Sequence, residues 1–209
     1  MKAALFISVV YFSFVSVRPA TSAPYDEEHR AVAKLVGPNV SGNITFTQSG
    51  SILLISGVVE GLKPKSTHGF HIHEKGDLSS GCASTGGHFN PYNKHHGGPT
   101  DEERHVGDLG NIDANEHGVA AFTLSDHVAS LVGPNCIIGR GVVLHSDPDD
   151  LGKGQHPDSL TTGHAGSRIA CGVIGTLDPG TDKLENSASR SSPYFTILTV
   201  FVVFLKLTN

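Results

Sequence analysis

The sequence predicts an all-β domain, and three observations predict it. Apolar and β-branched residues recur in short runs or with a period of two. No stretch keeps a long helical period, and glycine, asparagine and proline break the chain at short intervals. The 25 glycines serve tight turns and close backbone approach. Segments 32–36, 43–48, 51–59, 69–73, 119–124, 136–145 and 170–177 read as strands. Segment 43–48 alternates Ile44 and Phe46 with polar neighbours, and segment 69–73 alternates Phe70 and Ile72 with histidine. Segments 51–59 and 136–145 run aliphatic and β-branched. Segment 124–131 is open and could hold a turn. Two long stretches, 74–109 and 146–167, show no strand pattern. Loops of that length inside a compact domain are usually functional or disordered.

Both ends of the chain differ from this pattern. Residues 1–23 carry Lys2, an apolar run and the small residues Ala20-Thr-Ser-Ala23, as a secretory signal peptide would. Residues 24–178 then form the folded domain. A polar linker, 179–193, leads to an apolar tail, 194–209, whose apolar run of twelve residues is too short to span a bilayer as a helix. Small residues at Asn186-Ser-Ala-Ser189, a spacer and this tail match a glycosylphosphatidylinositol attachment signal, with Asn186 as the lipid site. A plain tail or a short membrane segment is the alternative. The expected location is outside the cell, on the outer face of the plasma membrane. Asn39-Val-Ser41 and Asn43-Ile-Thr45 are glycosylation sequons that only a secreted chain would use. Between residues 24 and 186 there are 20 acids and 11 bases, a net of −9. That balance argues against nucleic acid or an anionic membrane surface as partner. Three cysteines in a secreted chain leave one without a partner.

Histidines carry the chemistry. His71-x-His73 lies in the alternating stretch Gly69-Phe-His-Ile-His-Glu74, where a strand points both imidazoles to one face. His88, His96, His105 and Asp108 follow in loop-like segments, and His145 ends the run 136–145. A single histidine is more often a surface or core residue than a ligand. This ordered set, with one carboxylate among the imidazoles, points instead to a two-metal site.

Gly69-Phe-His-Ile-His-Glu74, Gly81-Cys82, His88-Phe-Asn-Pro91, His96-Gly-Gly-Pro99, the segment 101–110, Cys136-Ile-Ile-Gly-Arg140, the segment 149–154 and Gly166-Ser-Arg-Ile-Ala-Cys-Gly172 together resemble copper/zinc superoxide dismutase. The resemblance runs from about Ala31 to Leu177. It implies a Greek-key β-sandwich or flattened barrel, immunoglobulin-like in architecture. That family is itself a standard example of the sandwich class, so this refinement comes with the resemblance. The resemblance implies copper held by His71, His73, His88 and His145. It implies zinc held by His88, His96, His105 and Asp108, with a deprotonated His88 shared between the metals. It further implies Arg168 as the anion-docking residue, Asp149 as the carboxylate behind His71 and His96, and a Cys82–Cys171 disulfide. The substrate would be superoxide and the chain would form a homodimer. Cys136 is then the odd thiol, His68 a packed structural histidine and His95 a solvated one.

One departure stands out. Where the family often places two acids and a lysine before the arginine, this chain has Pro157, Asp158 and Thr161. A weaker or rearranged steering field is expected. The rival reading is a non-catalytic copper-binding or copper-delivery relative, although no second metal-delivery domain is present and every ligand position is filled.

Overall fold

The computed structural model describes residues 28–177. The signal-like segment, the polar linker, Asn186 and the apolar tail lie outside the described residues. Ten strands follow in order: β1 (His29–Val36), β2 (Ser41–Ser49), β3 (Ile52–Glu60), β4 (Thr67–His73), β5 (Ser79–Cys82), β6 (Asp108–Asp113), β7 (Ala120–Asp126), β8 (Gly141–His145), β9 (Arg168–Val173) and β10 (Gly175–Leu177). The sheet order is β6-β4-β8-β9-β1-β2-β3-β7, antiparallel throughout, with β10 also on β1. The two end strands, β6 and β7, pack against each other and nearly close the barrel. β1 to β3 form consecutive hairpins. The chain then crosses from β3 to β4 and again from β7 to β8, a Greek-key path.

Alternation builds the core. In β1, Ala31, Ala33 and Leu35 point inward, while Val32, Lys34 and Val36 face out. Ile44, Phe46, Leu53, Ile55 and Val59 continue the inner face, and Phe70 meets Phe122 edge to face at 5.3 Å. Each fully buried aliphatic or aromatic side chain stabilises the fold by roughly 1.5–3 kcal/mol. β4 is buried on both faces from His68 to His73. Phe70 and Ile72 fill the barrel, and the opposite face carries His71 and His73 beneath the long loops. The strand that builds the core therefore also presents the histidines.

Four local expectations need correction. The run 136–145 is a strand only from Gly141. Before it, Ile137 drops into the core and Cys136 makes one bridge to Ser130. The run 170–177 breaks at Ile174, whose backbone bonds Arg140 and Gly139 and not β1. β5 forms inside the stretch 74–109 that shows no strand pattern, and β6 begins at its last two residues and runs on to Asp113. β6 reaches Asp108 through an irregularity against β4, where the left-handed Gly110 (φ 77°) takes up one extra residue. Finally, residues 159–162 form one helical turn.

Cys82 and Cys171 are bonded across 89 positions, tying β5 to β9. A loop of that length stabilises by about 4 kcal/mol in the chain-entropy account. Cys136 is free and half-buried, its thiol donating to Leu131 O at 3.1 Å. Asn39, in the β1–β2 turn, and Asn43, on the outer face of β2, are both exposed.

Candidate metal centre

The long loops return to β4 and deliver the remaining ligand positions. Phe89 N donates to Ile72 O at 2.8 Å, and Glu74 N to Gly87 O at 2.9 Å, so His88 is laid beside His73 as a short antiparallel bridge. Ile72 N in turn donates to Gly107 O, which brings the segment carrying His105 and Asp108 alongside. Arg104 pins that segment to the barrel. It forms a buried ion pair with Asp126 at 2.7 Å and donates to the carbonyls of Pro99 and His105. β8 brings His145 directly opposite Arg168 of β9.

Two buried groups of four donors result, sharing His88: His71, His73, His88 and His145, and His88, His96, His105 and Asp108. The hydrogen bonds on the far side of each ring decide what the near side can do. His73 Nδ1 donates to Gly86 O at 2.8 Å and His145 Nδ1 to Gly166 O at 3.3 Å. Their Nε2 atoms are therefore bare lone pairs, and they face each other at 3.3 Å. His71 Nε2 and His96 Nε2 donate to the two oxygens of Asp149, at 2.9 and 2.8 Å, which turns both Nδ1 atoms into the site. His105 Nε2 donates to Lys94 O at 3.0 Å. Its Nδ1 and that of His96 lie 3.1 and 3.0 Å from Asp108 Oδ1. The other oxygen, Oδ2, is already engaged by the backbone N–H groups of Gly97 and His105. Lone pairs and a carboxylate oxygen crowded in this way repel one another unless a cation joins them. Among the described residues, the buried side-chain nitrogens and oxygens that make no aligned hydrogen bond are His71 Nδ1, His88 Nε2 and His96 Nδ1, all of them members of these groups. The spacing suits an ion. Tetrahedral donors about 2.05 Å from a metal lie ~3.3 Å apart, close to the separations here.

Burial keeps the first group neutral. It lowers His71 to about 3, His73 to about 2 and His145 to about 4, and the neighbouring His88 adds to each shift. His88 is lowered as well, again by burial first. His96 goes the other way, up to about 9. Burial opposes the rise, and hydrogen bonds to Asp108 and Asp149 overcome it. A site between two carboxylates that holds a proton so firmly also favours a metal cation. Burial works against ionisation of Asp108 and Asp149, yet the surrounding histidines hold both well below the usual carboxylate range.

Arg168 is half-buried at the edge of the first group. Its Nη1 donates to Cys82 O (2.7 Å), Ala83 O (3.1 Å) and Thr85 Oγ1 (3.1 Å), and its Nη2 to Gly86 O (2.6 Å). Burial lowers its pKa, although a guanidinium stays charged at any ordinary pH. Thr85 is a contact that the ligand spacing did not point to. His68 is buried, between His145 O at 2.7 Å and Ser66 Oγ at 2.6 Å, and His95 is exposed. Pro157 and Thr161 are exposed, and Asp158 accepts from His164 at 2.8 Å. In place of a lysine, this rim carries His156 and His164 stacked face to face at 3.6 Å.

Comparison with known proteins agrees with this geometry. The chain is similar to a solved structure of the clock protein EA4, at 52% identity, with a TM-score of 0.70, over 75% of this chain and 100% of that one. The model of the copper/zinc superoxide dismutase (SODC) family matches residues 40–174. With that match across most of its length, the chain belongs to the copper/zinc superoxide dismutase family.

Proposed function

We propose that this chain is a copper/zinc superoxide dismutase working outside the cell. The observation that carries the reading is the two sets of bare, converging donors, each ring oriented by a hydrogen bond on its far side. His71, His73, His88 and His145 would hold copper, and His88, His96, His105 and Asp108 would hold zinc. Bound copper would supply one-electron chemistry between Cu(II) and Cu(I), while zinc, which has no redox step, would fix the donor geometry. The net reaction converts two superoxide ions and two protons to dioxygen and hydrogen peroxide.

The protein's own part is docking and proton handling. Arg168 offers a fixed positive plane, and its Nε–H and one Nη2–H are not used in the four bonds to the loop. His88 belongs to both groups, and its Nε2 is the buried atom at which a proton can be held and passed to the departing product. Elemental analysis of protein refolded with both metals should give close to one copper and one zinc per chain, and the product should consume superoxide. Protein that stays zinc-free with its ligands intact would defeat the two-metal reading. Full metal content without superoxide consumption would favour the non-catalytic alternative, to which the name of the similar clock protein lends weight.

A homodimer is part of the proposal. Val36 (57% exposed), Val173 (40%) and Leu78 (37%) flank an open cavity of about 850 Å3 beside the disulfide. Exposed apolar residues gathered on one face favour a partner surface. Sedimentation at twice the mass of one chain would support this, and a monomer at micromolar concentration would refute it.

The location is also proposed, from residues 1–23, Asn186 and the tail 194–209. Expressed in animal cells, the protein should be freed from the surface by a phosphatidylinositol-specific phospholipase, and chain lacking 194–209 should enter the medium. Retention after the phospholipase, with the tail still present by mass spectrometry, would replace the lipid with a short membrane segment.

A further inference from the structure

We infer that Thr85 is a positioning residue that couples the anion-docking Arg168 to the ligand His73 through a single buried hydroxyl. The inference rests on the proposed roles of those two residues. Thr85 is fully buried (0% exposed) at the end of a 3-10 turn, Ala83–Thr85, which directly follows the disulfide cysteine Cys82. Its hydroxyl donates to Cys82 O at 2.9 Å, which leaves the oxygen free to accept. Arg168 Nη1 donates to that oxygen at 3.1 Å, and His73 Nδ1–H approaches it at 3.2 Å while bonding Gly86 O at 2.8 Å. One oxygen thus touches the guanidinium, the ring behind a metal-facing nitrogen, and the loop closed by the disulfide.

The hydroxyl is held in this orientation by packing. A β-carbon on residue 141 would lie 3.0 Å from Thr85 Cγ2, so the methyl fits because residue 141 is glycine. With the methyl seated over Gly141 and the backbone carbonyl of Thr85 accepting from Lys75 N at 3.0 Å, the side chain has little freedom to turn. Serine would keep the hydroxyl but lose this stop, and valine would keep the shape but lose the oxygen. A buried threonine used only for packing would tolerate valine with no change at the anion site. A positioning threonine would not. Without the oxygen, Arg168 keeps its carbonyl partners but loses the tie to His73, and the guanidinium plane can swing with the loop.

The test uses fully metallated protein and azide, a small anion, as the probe. The azide dissociation constant is read from the visible band of the copper, and the electron paramagnetic resonance of Cu(II) is recorded beside it. Thr85→Val should retain both metals, bind azide roughly three- to tenfold more weakly and shift the copper spectrum. Thr85→Ser should restore most of the affinity. If Thr85→Val fails to take up metal, Thr85→Ala provides the same comparison with a smaller side chain. Hydroxyl-free protein with unchanged azide affinity and an unchanged copper spectrum would overturn the inference. Because azide binding is read without turnover, a wild-type protein that does not consume superoxide would end the enzymatic reading and still leave this comparison decisive.

Discussion

Replacing Arg168 with glutamate should lower superoxide turnover by about two orders of magnitude while copper and zinc remain bound. Two unit charges about 4 Å apart interact with ~4 kcal/mol at an effective dielectric of about 20. Arg168 is half-buried, so solvent screening reduces the effect, and roughly 3 kcal/mol corresponds to about a hundredfold in rate. A second effect adds to the first. The guanidinium is surrounded by the carbonyl oxygens of Cys82, Ala83 and Gly86, and a carboxylate there would face three acceptors with the Thr85 hydroxyl as a neighbouring donor. The loop should therefore loosen as well as lose its charge. Arg168→Lys separates the two effects, because lysine keeps the charge but cannot bridge those carbonyls as a planar fork. Pulse measurements of superoxide decay, with elemental analysis of each variant, decide the matter. Glutamate at this position with undiminished turnover would return Arg168 to a loop-holding role alone.

The two clusters of candidate donors were legible because a metal needs particular atoms, and the chain advertises them by type. His71 and His73 can be read from a strand period of two, and the others from order and spacing. The strands of the β1–β3 meander were legible for the same reason: one face is buried and one is wet, so alternation survives in the sequence. β6 was not. Its residues Asp108 to Gly110 are all buried, Leu109 in the core and Asp108 among the clustered donors, so the signal of a half-buried strand is absent. The run 136–140 looks like a strand because Ile137 and Ile138 are β-branched. Off the sheet, Ile137 still sits in the core and Ile138 packs against it, while Arg140 lies over the Phe89 ring at 3.5 Å. Thr85 left no trace at all. Its importance comes from a rotamer seated on Gly141 in another strand and from neighbours 12 and 83 positions away. Functional sites are where local reading is expected to fail, because tertiary contacts there override local preference.

The metal-free protein should be sharply acid-labile, losing stability as the pH falls from about 6.5 toward 4. His71, His73 and His145 are held neutral by burial, down to about 3, 2 and 4. In the unfolded chain they titrate near 6.5. Between those values the unfolded state binds protons that the folded state refuses, so stability must rise with pH across the window and fall on acidification. Each histidine contributes a slope of about 1.4 kcal/mol per pH unit, and three together about 4. Against a total of some 5–15 kcal/mol for a domain, two units of acidification can remove most of the stability. Asp108 and Asp149 act in the same sense at lower pH. Both are depressed in the fold, so their contribution is present above the unfolded carboxylate value and is lost below it. His96 opposes them at the other end. Raised to about 9, it stabilises fully below 6.5 and loses that contribution as the pH climbs through 9. The metal-free maximum should therefore lie near pH 6.5–7. Metal bound only to the folded state adds stability by mass action and competes with protons for the same nitrogens, which should move the acid midpoint down by a pH unit or more. Urea midpoints measured from pH 4.5 to 8.5, on chelator-treated and on reconstituted protein with the disulfide intact, test each part. A metal-free midpoint that stays flat from 6.5 to 4.5 would mean that these histidines protonate without unfolding the chain, and that the barrel does not depend on keeping them neutral.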